Sequence, residues 1–184
     1  PAPCRQPLDH PVADPGGALW VGTEEGAFRY DGHALTPLNA LRTRGARLPV
    51  TPCYAVAVDQ RGQTWLSTGA GVYVLTPGGE LRQLPRLAPG PAAMSQLVLA
   101  PGGGRVWAMQ HTRAVGAYDL NGRIRVVIPM PGAAAVELLA ASDSSLWVTV
   151  QDVETRHYDA RGHLLGRWPH PRTMVRPVAA TQGR

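Results

Sequence analysis

The residues with chemical potential in this 184-residue chain lie in polar segments between short apolar runs. Glu24 and Glu25 are adjacent carboxylates, Arg42, Arg44 and Arg47 are closely spaced guanidiniums, and His111, Arg113 and Asp152 stand in two further polar segments. Such groups suit recognition of a polar or charged solute through hydrogen bonds and ion pairs. For catalysis the set is poor. The chain has no Gly-x-Ser-x-Gly, no Gly-x-x-x-x-Gly-Lys and no His-Glu-x-x-His, and with all eighteen basic residues Arg it has no lysine for a Schiff base or a phosphate loop. His157, His163 and His170 are six and seven residues apart, which fits no usual metal-ligand spacing on one element. Cys4 and Cys53 belong to no Cys-x-x-Cys or Cys/His cluster, which disfavours a zinc knuckle. A Cys4 to Cys53 disulfide in an oxidising compartment and two unrelated thiols both remain open. The expectation is a segment with no catalytic residue, metal or cofactor, in which Glu24, Glu25, Arg42, Arg44, Arg47, His111, Arg113 and Asp152 contact a ligand.

Composition narrows the elements that position these groups. The net charge is +5, yet the basic residues run from Arg5 to Arg184 without a block, so a nucleic-acid surface is not expected. With 21 Gly and 18 Pro, long uninterrupted helices are excluded and many turns are implied. No apolar run approaches the roughly 18 residues of a membrane span, and the N-terminus lacks the basic start and apolar run of an intact signal peptide. The first residue, Pro1, points to a processed product or a piece of a longer chain.

A repeat organises the whole sequence. Trp20, Trp65, Trp107 and Trp147 are spaced by 45, 42 and 40 residues, and each follows a polar turn: Asp14-Pro-Gly-Gly-Ala-Leu-Trp20, Asp59-Gln-Arg-Gly-Gln-Thr-Trp65, Pro101-Gly-Gly-Gly-Arg-Val-Trp107 and Ser142-Asp-Ser-Ser-Leu-Trp147. Apolar runs at 54–58, 97–100 and 136–140 precede the last three turns and read as buried strands. Third strands at 27–30, 72–75, 117–118 and 157–158 lead into Asp- or Gly-rich turns, and fourth strands follow, as at 124–128 and 164–168. Four strands in about 40 to 45 residues is the period of a propeller blade.

The run Gly17-Ala-Leu-Trp20-Val-Gly-Thr-Glu-Glu-Gly26-Ala-Phe-Arg-Tyr30-Asp31 resembles the two-component regulator propeller repeat, with the pattern D-x-x-G-x-[LI]-W-[IV]-G-T-x-x-G-[LV]-x-x-[YF]-D. Asp59 to Tyr73 matches almost as well; the third and fourth repeats keep the Trp and the Tyr-Asp pair but have His111-Thr-Arg113 and Gln151-Asp-Val-Glu154 in place of Thr-x-x-Gly. The expected fold is all-β, a β-propeller of about four blades of four antiparallel strands, forming part of a larger ring such as a seven-bladed one. Blades are expected at about 10–50, 51–92, 93–132 and 133–172, with 173–184 as the first strand of another and a fifth Trp near position 186. The four Trp residues are expected to fill the spaces between adjacent blades.

In an up-and-down meander, the Asp-to-Gly turns share one end. The opposite end should then carry Glu24-Glu25, Thr68-Gly69, His111 to Arg113 and 151–154, together with the inter-blade connections bearing Arg42, Arg44, Arg47, Arg86 and Arg172. The family resemblance implies the periplasmic or extracellular sensor region of a bacterial inner-membrane histidine kinase. It would bind a small-molecule or carbohydrate signal, adjoin a kinase module of the same chain and form a homodimer, with no nucleic acid and no membrane span in this segment. Two alternatives differ in class: a metal-assisted propeller enzyme resembling the streptogramin lyases, with His111 in its site, and a protein-binding propeller scaffold.

Overall fold

Apolar runs of four to six residues closed by Gly, Asp and Asn turns have too little surface to bury themselves, so they pair into sheets and the sheets stack. The computed structural model describes residues 10–91, 93–94, 96–111, 113–131, 135–150 and 153–170, with only the backbone of 135 and 136. Four antiparallel meanders result. The first holds β1 (Val12–Ala13), β2 (Leu19–Thr23), β3 (Gly26–Tyr30) and β4 (Leu35–Pro37). The second adds a short β5 (Arg44–Gly45) to β6 (Cys53–Val58), β7 (Thr64–Thr68), β8 (Gly71–Leu75) and β9 (Glu80–Gln83). The third holds β10 (Gln96–Leu99), β11 (Arg105–Gln110), β12 (Ala114–Asp119) and β13 (Ile124–Pro129). The fourth holds β14 (Ala135–Ala140), β15 (Leu146–Val150), β16 (Glu154–Tyr158) and β17 (Leu164–Pro169). The expected all-β, four-strand repeat is the observed architecture. Residues 171–184, on which the expected further strand falls, lie outside the described residues.

The four tryptophans hold one register. Trp20, Trp65, Trp107 and Trp147 stand opposite Val12, Ala57, Val98 and Leu139 on the first strand of each sheet. On the third strand their partners are Arg29, Val74, Ala117 and His157. Because side chains alternate along a strand, each row projects from one face of its sheet. Trp20 joins Val56, Leu66 and Tyr73 of the second sheet. Trp65 packs with Val106, Ala108 and Tyr118 of the third, and Trp107 with Leu138, Leu146 and Val148 of the fourth. Each of these three Trp rows thus faces the next sheet along the chain, whereas Trp147, expected to fill a like space, is only partly buried and stacks on His157 and Trp168 of its own sheet. Tyr118 adds a polar tie, its hydroxyl donating to Pro85 O at 2.6 Å. Burial pushes this phenol's pKa up, so it stays a donor throughout the physiological range.

The ends of the sheets are set by side chains that satisfy turn backbone. Asp14 Oδ1 accepts from the Gly16 and Ala18 amides and Oδ2 from the Trp20 indole. Asp59 does the same for Arg61, Gln63 and Trp65. In the third sheet Ala100 N bonds Arg105 O, where in the second Asp59 N bonds Gln63 O, so this turn is one residue longer. Ala100, rather than Pro101, therefore occupies the place of Asp59, and the buried Trp107 indole N–H has no acceptor among the described residues. The Arg105 guanidinium lies over the Trp107 ring at 5.6 Å instead. At the other end, Thr23 and Thr68 close the Thr-x-x-Gly turns: each hydroxyl donates to the carbonyl of Gly26 or Gly71 and accepts from the amide of Glu25 or Ala70. Gly26 and Gly71 sit at φ +127° and +126°, a conformation that explains the fixed glycine.

Candidate functional site

The long connection between the first and second sheets builds the candidate site. After β4 and a 3-10 turn at Leu38–Ala40, the chain returns along the outer edge of the second sheet, where β5 pairs parallel to β9. Arg44 N donates to Gly79 O and Ala46 N to Leu81 O, satisfying an edge that would otherwise expose its carbonyls. The Arg44 guanidinium reaches Gly78 O at 3.1 Å. Gly78 belongs to the β8–β9 turn, which lies at the end carrying the Asp-to-Gly turns. Here the structure corrects the sequence-based expectation: Arg42 and Arg44 stand at the opposite end from Glu24 and Glu25. The reason is the extra edge pairing, which draws the connection back across the sheet before it climbs to β6.

Two hollows flank residues 41–43. A cleft of about 310 Å³ is lined by Asp14, Trp20, Arg29, Arg42, Thr64 and Thr76, among others. The second, about 590 Å³, is formed by the connection itself and includes Asn39, Arg42, Thr43 and Arg47. Asp14 anchors the first wall, with Arg29 Nε 3.4 Å from its Oδ2. Burial raises the Asp14 pKa, but the Ala18 amide, the Trp20 indole and Arg29 outweigh it and hold the carboxyl below its ordinary value. Arg42 and Arg47 are exposed and form no hydrogen bond or ion pair within the described chain. The site offers a fixed carboxylate, hydroxyls and two uncommitted guanidiniums, a donor-rich set for oxygen-bearing solutes.

The other expected site residues stand elsewhere. Glu24 and Glu25 form the exposed β2–β3 turn. His111 is exposed in the β11–β12 turn at φ +33°, and the Arg113 guanidinium lies against Gly90 of the connection before β10. Arg86 stays on that connection, its guanidinium bonding Gly90 O. Asp152, Cys4 and Arg172 lie outside the described residues. Cys53 is fully buried between the first two sheets, its Sγ 3.7 Å from Ala55 O. Among the described residues expected to contact a ligand, Arg42 and Arg47 line the hollows, and Glu24, Glu25, His111 and Arg113 stand apart from them.

Sequence reasoning passed over Asp14, Arg29 and Thr64 as site residues, and it passed over the glutamines that join sheets. Gln110, fully buried, accepts from Ala88 N and donates to Ala88 O and Pro91 O, fastening the connection between the second and third sheets. Gln63 donates to Leu120 O, and Gln96 accepts from Leu138 N. The signal for Gln110 was present in the repeat: it occupies the Trp-plus-three position held by Thr23 and Thr68. Among the described residues there is no group of three or more His, Cys, Asp and Glu positioned to hold a metal ion, and no helix long and apolar enough to cross a membrane.

No known family model matches the chain, and no curated protein does. Solved structures do. Virginiamycin B lyase from Staphylococcus aureus superposes with a TM-score of 0.67 at 16% identity, over 88% of this chain and 55% of the lyase. The fold is that of a β-propeller. Each sheet is a blade, and the chain spans about half the length of the lyase. A gluconolactonase from Xanthomonas campestris gives a TM-score of 0.63 at 17% identity, over 89% of this chain and 62% of the enzyme. The extracellular domain of a protein described as a hybrid two component system of B. thetaiotaomicron gives 0.64 at 14% identity, over 88% of this chain and 22% of that one. At these identities the likeness concerns the fold.

Proposed function

We propose that this chain is a ligand-recognising part of an extracytoplasmic sensor propeller, and that it binds its signal in the hollows beside the connection of the first two blades. The observation that carries the reading is the pair of uncommitted guanidiniums, Arg42 and Arg47, on a connection that is fixed to β9 and opens onto the cleft walled by Asp14, Arg29, Thr64 and Thr76. A polyhydroxylated solute carrying a carboxylate fits these donors and acceptors. The repeat pattern supports the sensor assignment, as does the likeness to extracellular domains described as parts of two component and one component systems. In this reading the segment contributes recognition, the kinase module lies elsewhere in the same chain, and the location is the periplasm or cell exterior.

Thermal unfolding in the presence of neutral sugars, uronic acids and small carboxylates tests the reading. A ligand present at 100 times its Kd stabilises the folded state by about 2.7 kcal/mol, a clear rise in Tm. A uronic acid should raise the Tm of the wild type and leave Arg42→Ala/Arg47→Ala unmoved. No shift with any of them, or an undiminished shift in the double variant, overturns the assignment and leaves the protein-binding scaffold. A lyase reading draws on the likeness to virginiamycin B lyase and on His111, held at positive φ in an exposed turn. It requires a magnesium-dependent activity that His111→Ala abolishes.

A further inference from the structure

The second and third joints repeat one polar tie. Gln63, two residues before Trp65, donates from Nε2 to Leu120 O at 2.9 Å, and Arg105, two residues before Trp107, donates from Nη1 to Ala160 O. The acceptors are equivalent: each follows the Asp that opens its turn, with Asp119 N bonded to Arg123 O and Asp159 N to His163 O. Arg61 and Arg82 add donations to Asn121. The first joint has the acceptor without the donors. Thr76 N bonds Glu80 O, so Pro77 stands where Leu120 and Ala160 stand. Ala18, Gly16 and Thr36, however, occupy the places of Gln63, Arg61 and Arg82. Among the described residues nothing donates to Pro77 O.

The carboxylate before each tryptophan shows what stands in for the missing side chain. Asp59 Oδ2 accepts from Gln63 Nε2 and the Trp65 indole, and Asp14 Oδ2 accepts from Arg29 Nε and the Trp20 indole. Arg29 thus takes the place of Gln63 on the carboxylate and goes no further, for its Nη groups form no hydrogen bond among the described residues. It is also the charged member of a row whose counterparts, Val74 and Ala117, are fully buried. Arg29 and Pro77 both line the 310 Å³ cleft.

We infer that the solute in this cleft is itself the tie of the first joint: its hydroxyl donates to Pro77 O, and its carboxylate accepts from the Nη edge of Arg29. The inference rests on the cleft being the binding site, and it adds which groups read the solute and what binding does. A guanidinium held through Nε presents its Nη donors in the planar geometry that suits a carboxylate. A carboxylate without a hydroxyl leaves Pro77 O unmet, and a neutral sugar leaves Arg29 unmet. The cleft therefore selects a solute carrying both, the chemistry of a uronic or other hydroxy acid. Its binding joins the turn before Trp20 to the β8–β9 turn, as Gln63 and Arg105 join the corresponding turns of the later blades. The first joint is then stiff at this end only when occupied, which converts occupancy into a change between two blades.

Two measurements on the full chain test this. Without solute, Ala18→Gln installs the side chain that Gln63 uses and is compared with Ala18→Leu, which has similar bulk and no donor. Ala18→Gln should have the higher Tm; equal values overturn the equivalence of Pro77 O with Leu120 O. The second measurement needs no substitution and decides the matter if those variants fail to fold. Amide exchange of the wild type is followed in saturating glucuronate and in saturating cyclohexanecarboxylate, a ring acid without hydroxyls. Glucuronate should slow exchange about tenfold in both 14–18 and 76–80, the two sides of the joint, and cyclohexanecarboxylate should not. Slowing on one side alone, or equal slowing by both acids, overturns the bridge and leaves the cleft as a binding site. No binding of glucuronate by calorimetry overturns the cleft reading and the bridge with it, while the Ala18 pair still reports on the unmet acceptor.

Discussion

The Trp65 indole donates to Asp59 Oδ2 at 2.8 Å, and the same carboxylate orders the turn before the tryptophan through the Arg61 and Gln63 amides. One side chain therefore couples the reversal of the chain to the residue that fills the next joint. Asp59 is 4% exposed, so its loss strands several buried donors at once. Asp59→Ala should cost about 2 to 4 kcal/mol in urea unfolding, since each unsatisfied buried donor costs about 1 to 3 kcal/mol. Asp14→Ala should cost less, because Asp14 is partly exposed and water can replace it. Equal losses would show that the clasp does not depend on burial.

The third blade offers the converse case. The Trp107 indole N–H is buried with no acceptor among the described residues, whereas the Trp65 N–H is satisfied. Trp→Phe removes similar volume at both positions but removes a hydrogen bond only at Trp65. Trp65→Phe should be the more destabilising by about 1 kcal/mol, the usual net worth of one bond. A larger loss at Trp107 would mean that its contact with Arg105 outweighs the missing acceptor.

Gln110 is buried in the core end of the third blade and fastens Ala88 and Pro91 of the preceding connection. Gln110→Leu keeps the bulk and leaves the Ala88 amide and two carbonyls without partners. Stability should fall by about 1 to 3 kcal/mol per the cost of unsatisfied buried groups. Limited proteolysis should then cut first within 85–91. A variant that unfolds earlier with no new early cut would place the bond's effect elsewhere.

Most of the architecture could be read from spacing, and the reasons are local. Trp20, Trp65 and Trp107 recur because each joint between described blades needs one large apolar filler at one register position, and the Thr-x-x-Gly turns recur because Gly26 and Gly71 hold positive φ. Those constraints act within a few residues and leave a pattern. The site depended on a contact that leaves none. The pairing of Arg44 and Gly45 with Glu80 and Leu81 joins residues 36 apart through backbone groups that every sequence possesses. Nothing in the side chains of 38–52 announces that the connection doubles back, so Arg42 and Arg44 were expected at the wrong end. The one-residue extension of the 100–105 turn was hidden for a similar reason, since Pro101 and Asp59 both stand six residues before a tryptophan.

The turn carboxylates give the stability a defined pH response. Burial raises the Asp119 pKa, but the Arg123 amide, the Arg125 guanidinium and the Asn121 amide outweigh it and hold it below its ordinary value. Asp159 is lowered chiefly by the His163 amide, and Asp14 is lowered as described above. A carboxyl with a depressed pKa in the folded state stabilises that state above its unfolded pKa, and the contribution is lost as pH falls through the folded value. Tm should hold steady from pH 7 to pH 5 and decline below about pH 4, the ordinary carboxylate range. Asp119→Asn should flatten part of the decline. A Tm that rises on acidification would contradict the assignment.

Gly22 fixes how closely the first two blades approach. A Cβ built there would lie 2.4 Å from Cys53 O, a backbone atom of the neighbouring blade that cannot rotate away. Gly22→Ala must therefore part β2 from β6, whereas Gly102→Ala meets nothing within 4 Å. Overpacking of this kind costs about 1 to 3 kcal/mol. Gly22→Ala should lower Tm and speed amide exchange in 19–23 and 53–58, while Gly102→Ala leaves both near the wild type. Because Trp20 lies in this joint and lines the cleft beside Arg42, the same substitution should weaken any solute bound there without touching a polar contact. Retention of full affinity in a destabilised Gly22→Ala protein would separate the cleft from the packing of the joint.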